Sequence, residues 1–181
     1  LVLERGPELD ERVKAVEHFE KTGELNLNAN IQFGEGGAGT FSDGKLTTRV
    51  GDPLCAFVTD AFLQHGAPAD IAWRQKPHVG SDLLRGIIRS IRQEIIALGG
   101  EVRFNTALTG LKIENGALAS VETTAGDFAC EQLILAVGHS ARDTFAMLHR
   151  QGMPLECKPF SVGFRAEHLQ TEIDKSLYHA A

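Results

Sequence analysis

The chain has 181 residues, 43% of them hydrophobic, which suits one domain, or one and part of a second, with an ordinary core. A net charge of −6 and a pI near 5.6 exclude a general nucleic-acid or membrane-surface binder, because a polyanion demands a basic face that this composition lacks. Cys55, Cys130 and Cys157 are odd in number and lack C-x-x-C spacing, and no apolar run approaches the roughly 20 residues of a membrane span, so the expectation is a reduced cytoplasmic chain with buried thiols, no disulfide framework and no zinc site.

Leu1-Val2-Leu3-Glu4-Arg5-Gly6 reads as a buried strand ending in an acid and a turn, with no initiator methionine ahead of it, as in a fragment of a longer protein. Leu9, Val13 and Val16 then recur at helical spacing, predicting a helix to about Lys21 that Gly23 ends. A glycine-rich loop follows. Pro53 opens a second helix whose Leu54, Phe57, Val58, Ala61 and Phe62 share a face expected to be core, and His65-Gly66-Ala67-Pro68 stops it. Trp73 to Gly80 is a polar connector. Ser81 is an apt N-cap for a third helix carrying Leu84, Ile87, Ile88, Ile91, Ile95 and Leu98, which Gly99-Gly100 ends.

Glu101 to Phe104 then starts a strand, completing the helix-to-strand half of an α/β unit. Leu108–Ile113, the Asn115-Gly116 turn, Ala117–Thr123 and Phe128-Ala129-Cys130 predict a small antiparallel meander. Leu133 to Val137 is a continuous apolar run of the kind buried on both faces of a parallel sheet. Ala141, Phe145 and Leu148 mark a further helix closing near Gly152, and the tail is mixed.

The glycine-rich stretch from Gly34 to Leu46 matches two phosphate-binding patterns. Gly34, Gly36 and Gly39 satisfy G-x-G-x-x-G, and Gly39, Gly44 and Lys45 satisfy a P-loop except that Leu46 stands where Ser or Thr would hold magnesium. Neither has the expected frame. Asn28 to Phe33 is too polar for a central parallel strand, and Thr40-Phe41-Ser42-Asp43-Gly44 would not propagate a helix. So many glycines beside hydroxyls and a lysine still offer backbone N–H groups to an anion, or let the chain approach a flat ligand.

The Glu4-Arg5-Gly6 strand end, the glycine-rich segment, the meander and Leu133-Ile134-Leu135-Ala136-Val137-Gly138 together resemble the FAD-dependent dehydrogenases of the two-dinucleotide-binding-domain flavoprotein superfamily. The likeness is greatest to a bacterial group of predicted FAD-dependent dehydrogenases, through Gln32 to Leu46, Lys76-Pro77-His78-Val79-Gly80 and Gly138-His139-Ser140-Ala141-Arg142-Asp143-Thr144. The resemblance implies an α/β, FAD/NAD(P)-binding Rossmann-like three-layer fold of parallel sheet, helices and antiparallel β-meander, incomplete and lacking its first strand. Residues 1–152 would be a partial FAD-binding domain with an inserted helical segment at about 50–80, and 153–181 the start of a second, substrate-side domain. An open slot is expected between the strand at Leu1–Glu4 and the run at Leu133–Val137.

The resemblance also implies site residues. Glu4 would accept hydrogen bonds from the adenosine ribose hydroxyls, with Arg5 on adenine or phosphate. Gly36, Gly37, Ser42, Gly44 and Lys45 would contact the flavin or its pyrophosphate, Leu108 would recognise adenine through its backbone, and Ala136 and Gly138 would close over the cofactor. The cofactor would be FAD, with NAD(P)H as a candidate electron donor and a small-molecule substrate.

No residue is assigned as catalytic. The seven histidines include no H-x-x-x-H pair, and His78 and His168 are only candidates to face a substrate cavity. The fragment alone is expected to be inactive and to bind FAD weakly or not at all, its partners being the missing N- and C-terminal parts of the parent. Two alternatives stand beside the oxidoreductase: a P-loop-like nucleotide hydrolase using Gly39, Gly44 and Lys45, and a non-catalytic α/β binding module.

Overall fold

A computed structural model describes residues 1–181 apart from Asp43, Thr47, Arg49, Gln75, Arg165, Ala180 and Ala181. It is a mixed α/β chain with a small parallel sheet and a separate three-stranded antiparallel sheet. Asp43 of the glycine-rich segment, Gln75 of the polar connector and Arg165 near His168 lie outside the described residues.

Strand β1 (Val2–Leu3) leads into α1 (Leu9–Thr22), which ends where Gly23 adopts φ +77° and returns its N–H to the Phe19 carbonyl. Leu9 and Val16 of α1 are buried. The chain then turns through the glycine-rich loop, including one 3-10 turn at Ala38–Phe41, before α2 (Cys55–Gln64) and α3 (Ser81–Ala97). Strand β2 (Val102–Arg103) pairs parallel with β1, Val2 opposite Val102 and Leu3 opposite Arg103. This is the expected α/β crossover, with α1 to α3 between its two strands.

The meander forms as the turn chemistry dictates. Strands β3 (Leu108–Glu114), β4 (Ala117–Thr123) and β5 (Gly126–Ala129) are antiparallel in sequence order. Asn115 and Gly116, at φ +52° and +81°, supply the two left-handed residues of the tight hairpin. Helices α4 (Arg142–Arg150) and α5 (Gln170–Tyr178) follow; Met147 and Leu148 are the buried residues of α4.

Several expectations need correction. The face of α2 expected in the core is largely exposed: Leu54 and Phe57 are each 73% accessible. The helix instead packs through its C-terminal end, Phe62 and Leu63, against the buried cluster of Ile71, Val79, Leu84 and Ile87. Ser81 is the first residue of α3, with Gly80 in the capping position and no side-chain cap bond. β1 is not buried, since Val2 is 46% accessible and the described residues supply a partner on one edge only. Nor are the thiols: Cys157 is exposed, Cys55 and Cys130 are half-buried, and all three are free.

The largest departure is the apolar run. Residues 133–137 form no strand, Ile134 is 92% accessible, and no described segment pairs with them, so the double burial expected of a central strand is absent. Among the described residues no helix is long and apolar enough to cross a membrane.

The closure of the helical excursion sets a sharp steric demand. Leu46 N–H donates to the Pro77 carbonyl and Val79 N–H to the Gly44 carbonyl, both at 2.9 Å, so the chain leaves and re-enters at one antiparallel bridge between Lys45 and His78. Gly44 sits there at φ +64°, and a Cβ on it would overlap the Val79 carbonyl; Gly23, at φ +77°, faces open space. Gly44→Ala should therefore lower stability by about 3 kcal/mol, strain and overlap combined, and Gly23→Ala by only about 1 kcal/mol. Equal urea midpoints for the two variants would contradict this packing.

Candidate functional site

Glu4 follows β1 directly, and its carboxylate receives the Gly6 N–H at 2.8 Å. The Glu4 carbonyl takes the Thr106 N–H at 2.9 Å and the Gly6 carbonyl takes the Asn105 N–H at 2.8 Å, so the segment leading to Leu108 crosses the carboxyl end of β1. Arg5 donates to Asn28 Oδ1 at 2.9 Å and pairs with Asp143 at the start of α4. That contact holds the Asp143 carboxyl below its ordinary range. Three separate chain segments thus meet just past β1, which is where ligands sit in open α/β sheets.

The glycine-rich loop joins this cluster through Arg12, a residue that the sequence reading passed over. Arg12 is fully buried, and its guanidinium donates to the carbonyls of Asn30 at 2.9 Å, Glu35 at 2.6 Å, Gly37 at 3.0 Å and Ile31 at 3.3 Å. Its carbon lies 4.8 Å from the centre of the Phe41 ring. Burial pulls Arg12 down to about 10, opposed by the charges of Glu4 and Glu35, so it stays protonated at neutral pH. The signal was present in the sequence: position 12 falls on the stripe of Leu9, Val13 and Val16, where a charge needs partners.

Glu35 was also passed over. Its carboxylate accepts the Leu9 N–H at 2.7 Å and lies 2.9 Å from Arg92 Nε, although the Nε–H does not point along that line. Arg92 also donates to Glu8 at 2.8 Å, so one carboxylate and one guanidinium join the loop, α1 and α3.

The expected site residues divide into two groups. Glu4 and Arg5 directly follow β1, Gly37 gives its carbonyl to Arg12 of the helix that comes next, and Leu108 lies two residues beyond the Thr106 contact. Ala136 and Gly138 precede Asp143, the partner of Arg5, in the chain; Gly138 has φ +74°, and a Cβ on it would meet nothing within 4 Å. Gly44 and Lys45 are instead committed to the bridge with residues 77–79, and Ser42 closes the 3-10 turn by donating its N–H to the Gly39 carbonyl at 3.3 Å. Among the described residues no helix opens between Lys45 and α2, so the helix that a P-loop pattern needs directly after its lysine is not seen there.

No family model matches the chain. It is 49% identical, over 178 residues, to an uncharacterized protein of Clostridium beijerinckii; the match takes in 98% of this chain and 33% of the relative. The chain therefore spans about a third of the length of the relative it matches.

Burial is the main cause that raises the Glu35 carboxyl above its ordinary 4.5. Between 4.5 and the raised value the folded protein holds a proton that the unfolded chain has released, so this group's contribution to stability falls as pH rises through that window and is level above it. Glu35→Gln keeps an acceptor for Leu9 but cannot titrate. Denaturant melts across the acid range should show the variant gaining on the parent as pH rises through that window. A pH-independent difference would exclude the burial of this carboxyl.

Proposed function

We propose that this chain is the cofactor-binding part of an FAD-dependent oxidoreductase with a Rossmann-like three-layer fold, its whole length comparable to that of the Clostridium beijerinckii relative. What supports the proposal is a set of contacts past β1: Arg5 pairs with Asp143 at the start of α4, and Glu35 of the glycine-rich loop receives the Leu9 N–H at the start of α1. An elongated dinucleotide suits that arrangement, since its ribose, diphosphate and ring system need a carboxylate, backbone amides and close-packed glycines in succession.

The residues fit such a group. The Glu4 carboxylate oxygen not used by Gly6 has no partner among the described residues and can accept a ribose hydroxyl. A Cβ on Gly37, at φ +67°, would meet nothing within 4 Å, so the loop has room on that side. Arg5, held by Asn28 and Asp143, orients rather than grips, and Leu108 offers backbone only. When bound, the flavin supplies the hydride chemistry, so no acid or base of this chain need be named.

The exposed run at 133–137 supports the same proposal. A stretch of five apolar residues with no sheet partner is costly to leave in water, and it lies just before the segment that Arg5 contacts through Asp143. In the larger protein a further parallel strand would lie between this run and β1, pairing both.

The test is purification of the Clostridium beijerinckii relative. The expected product has flavin absorbance in the visible range and, after denaturation, releases a compound that co-elutes with FAD. A colourless protein that takes up no added FAD would refute the proposal.

A further inference from the structure

Helix α2 is apolar on two faces, and the described residues cover only one of them. Phe62 and Leu63 at its C-terminal end reach the buried cluster of Ile71, Val79, Leu84 and Ile87. His65, directly after the helix, adds a polar hold: it is hydrogen-bonded through Nδ1 to Ser90 Oγ and through Nε2 to the Glu94 carboxylate, each at 2.8 Å. Ser90 and Glu94 stand one turn apart on α3, so one imidazole fixes the end of α2 at two points. These contacts decide which way the rest of the helix faces.

The outward face carries Leu54, Phe57 and Val58, all exposed, at the i, i+3, i+4 spacing of a single helical stripe. Val50 extends the stripe at its N-terminal end, where its side chain is exposed and its carbonyl receives the Cys55 thiol at 3.6 Å. The helix contains no lysine or arginine, and Asp60 is its single charged residue. Exposed apolar residues scattered singly are ordinary, but a contiguous stripe marks a surface that something covers. A helix apolar on both sides belongs inside a larger body.

Physical demands separate three occupants. A membrane surface takes up helices whose polar face is basic, and α2 has no basic residue in a chain of net charge −6. A second copy would have to associate from dilute solution, and a stable interface of that kind takes about 20 residues a side. This stripe offers Val50, Leu54, Phe57 and Val58. A segment joined to the same polypeptide faces no such demand, because tethering raises its effective concentration to about millimolar. The Clostridium beijerinckii relative has such segments, since the match takes in only 33% of its length.

We propose that the outer stripe of α2 is an interface within the longer polypeptide, covered by an apolar surface of the part that lies outside the matched third. This goes beyond the flavoprotein proposal, since it uses the length of the relative and nothing about a cofactor.

The test is carbene footprinting, which labels exposed side chains of any type, on the 181-residue chain and on the intact relative, each sized by light scattering. The peptide holding residues 50–61 should label strongly in the chain, and the aligned peptide should label several-fold less in the relative. Phe57→Asp should leave the urea midpoint of the chain in place, whereas aspartate at the aligned position should lower that of the relative. If that variant of the relative does not fold, the footprints decide. Equal labelling in the two proteins would overturn the proposal. Protection in the chain that comes with a doubled mass, or protection in the relative that dilution removes, would make a second copy the cover and overturn it too. So would co-sedimentation of the chain with phosphatidylcholine vesicles that Phe57→Asp abolishes. A flavin-free relative with a protected stripe would keep the interface and remove the flavin; a flavin-loaded relative with an exposed stripe would do the reverse.

Discussion

A single buried guanidinium holds the glycine-rich loop of this chain against α1. Arg12 rises from the core face of α1 and is surrounded by the carbonyls of residues 30, 31, 35 and 37, with the Phe41 ring against it and no carboxylate hydrogen-bonded to it among the described residues. Removing such a charge from water is expensive, and truncating one member of a buried charge network costs about 3–5 kcal/mol because the other polar groups are left stranded. Here the stranded groups would be loop carbonyls, so the loop's conformation and the helix's placement depend on the same side chain.

Glu35 and Arg92 extend this arrangement in two directions. Glu35 takes the first free N–H of α1, a favourable place for a carboxylate near a helix N-terminus, while Arg92 brings in α3 and touches the Phe104 ring beyond β2 at 5.3 Å. The crossover, the loop and the strand pair are thereby coupled by polar contacts rather than by one large apolar core. The buried apolar cluster of Ile71, Val79, Leu84 and Ile87 packs under the helical excursion and reaches the loop where Leu84 faces Gly39. The bridge between Lys45 and His78 closes that excursion without drawing it into the β1 end.

Local signals were the legible part of the sequence. Asn115-Gly116 fixes the hairpin pairing next to the turn, Glu114 with Ala117 and Ile113 with Leu118, while the register shifts between Lys112 and Ile113 and again between Leu108 and Gly110 were not legible in the sequence. Gly23 and Gly99-Gly100 mark helix ends for the same local reason. What failed depended on distant partners. The apolar faces of α2 and of residues 133–137 were assigned to the core because periodicity reports that a surface is apolar, not what covers it. Arg12 and Glu35 were passed over because a buried ion reads, in sequence, like any surface charge; only a charged residue on an apolar stripe and a lone acid among glycines hinted otherwise.

These findings share one physical picture, in which a buried arginine shapes a glycine loop next to the helix that follows β1, and the exposed apolar run has no sheet partner among the described residues. The most direct measurement is a crystal structure of the Clostridium beijerinckii relative as purified. The expected density is a dinucleotide running from the residue aligned with Glu4 to the loop aligned with Gly36 and Gly37, with a parallel strand from outside the matched region beside the segment aligned with residues 133–137. A ligand bound on the opposite side of the sheet, or an aligned run that remains unpaired, would contradict it.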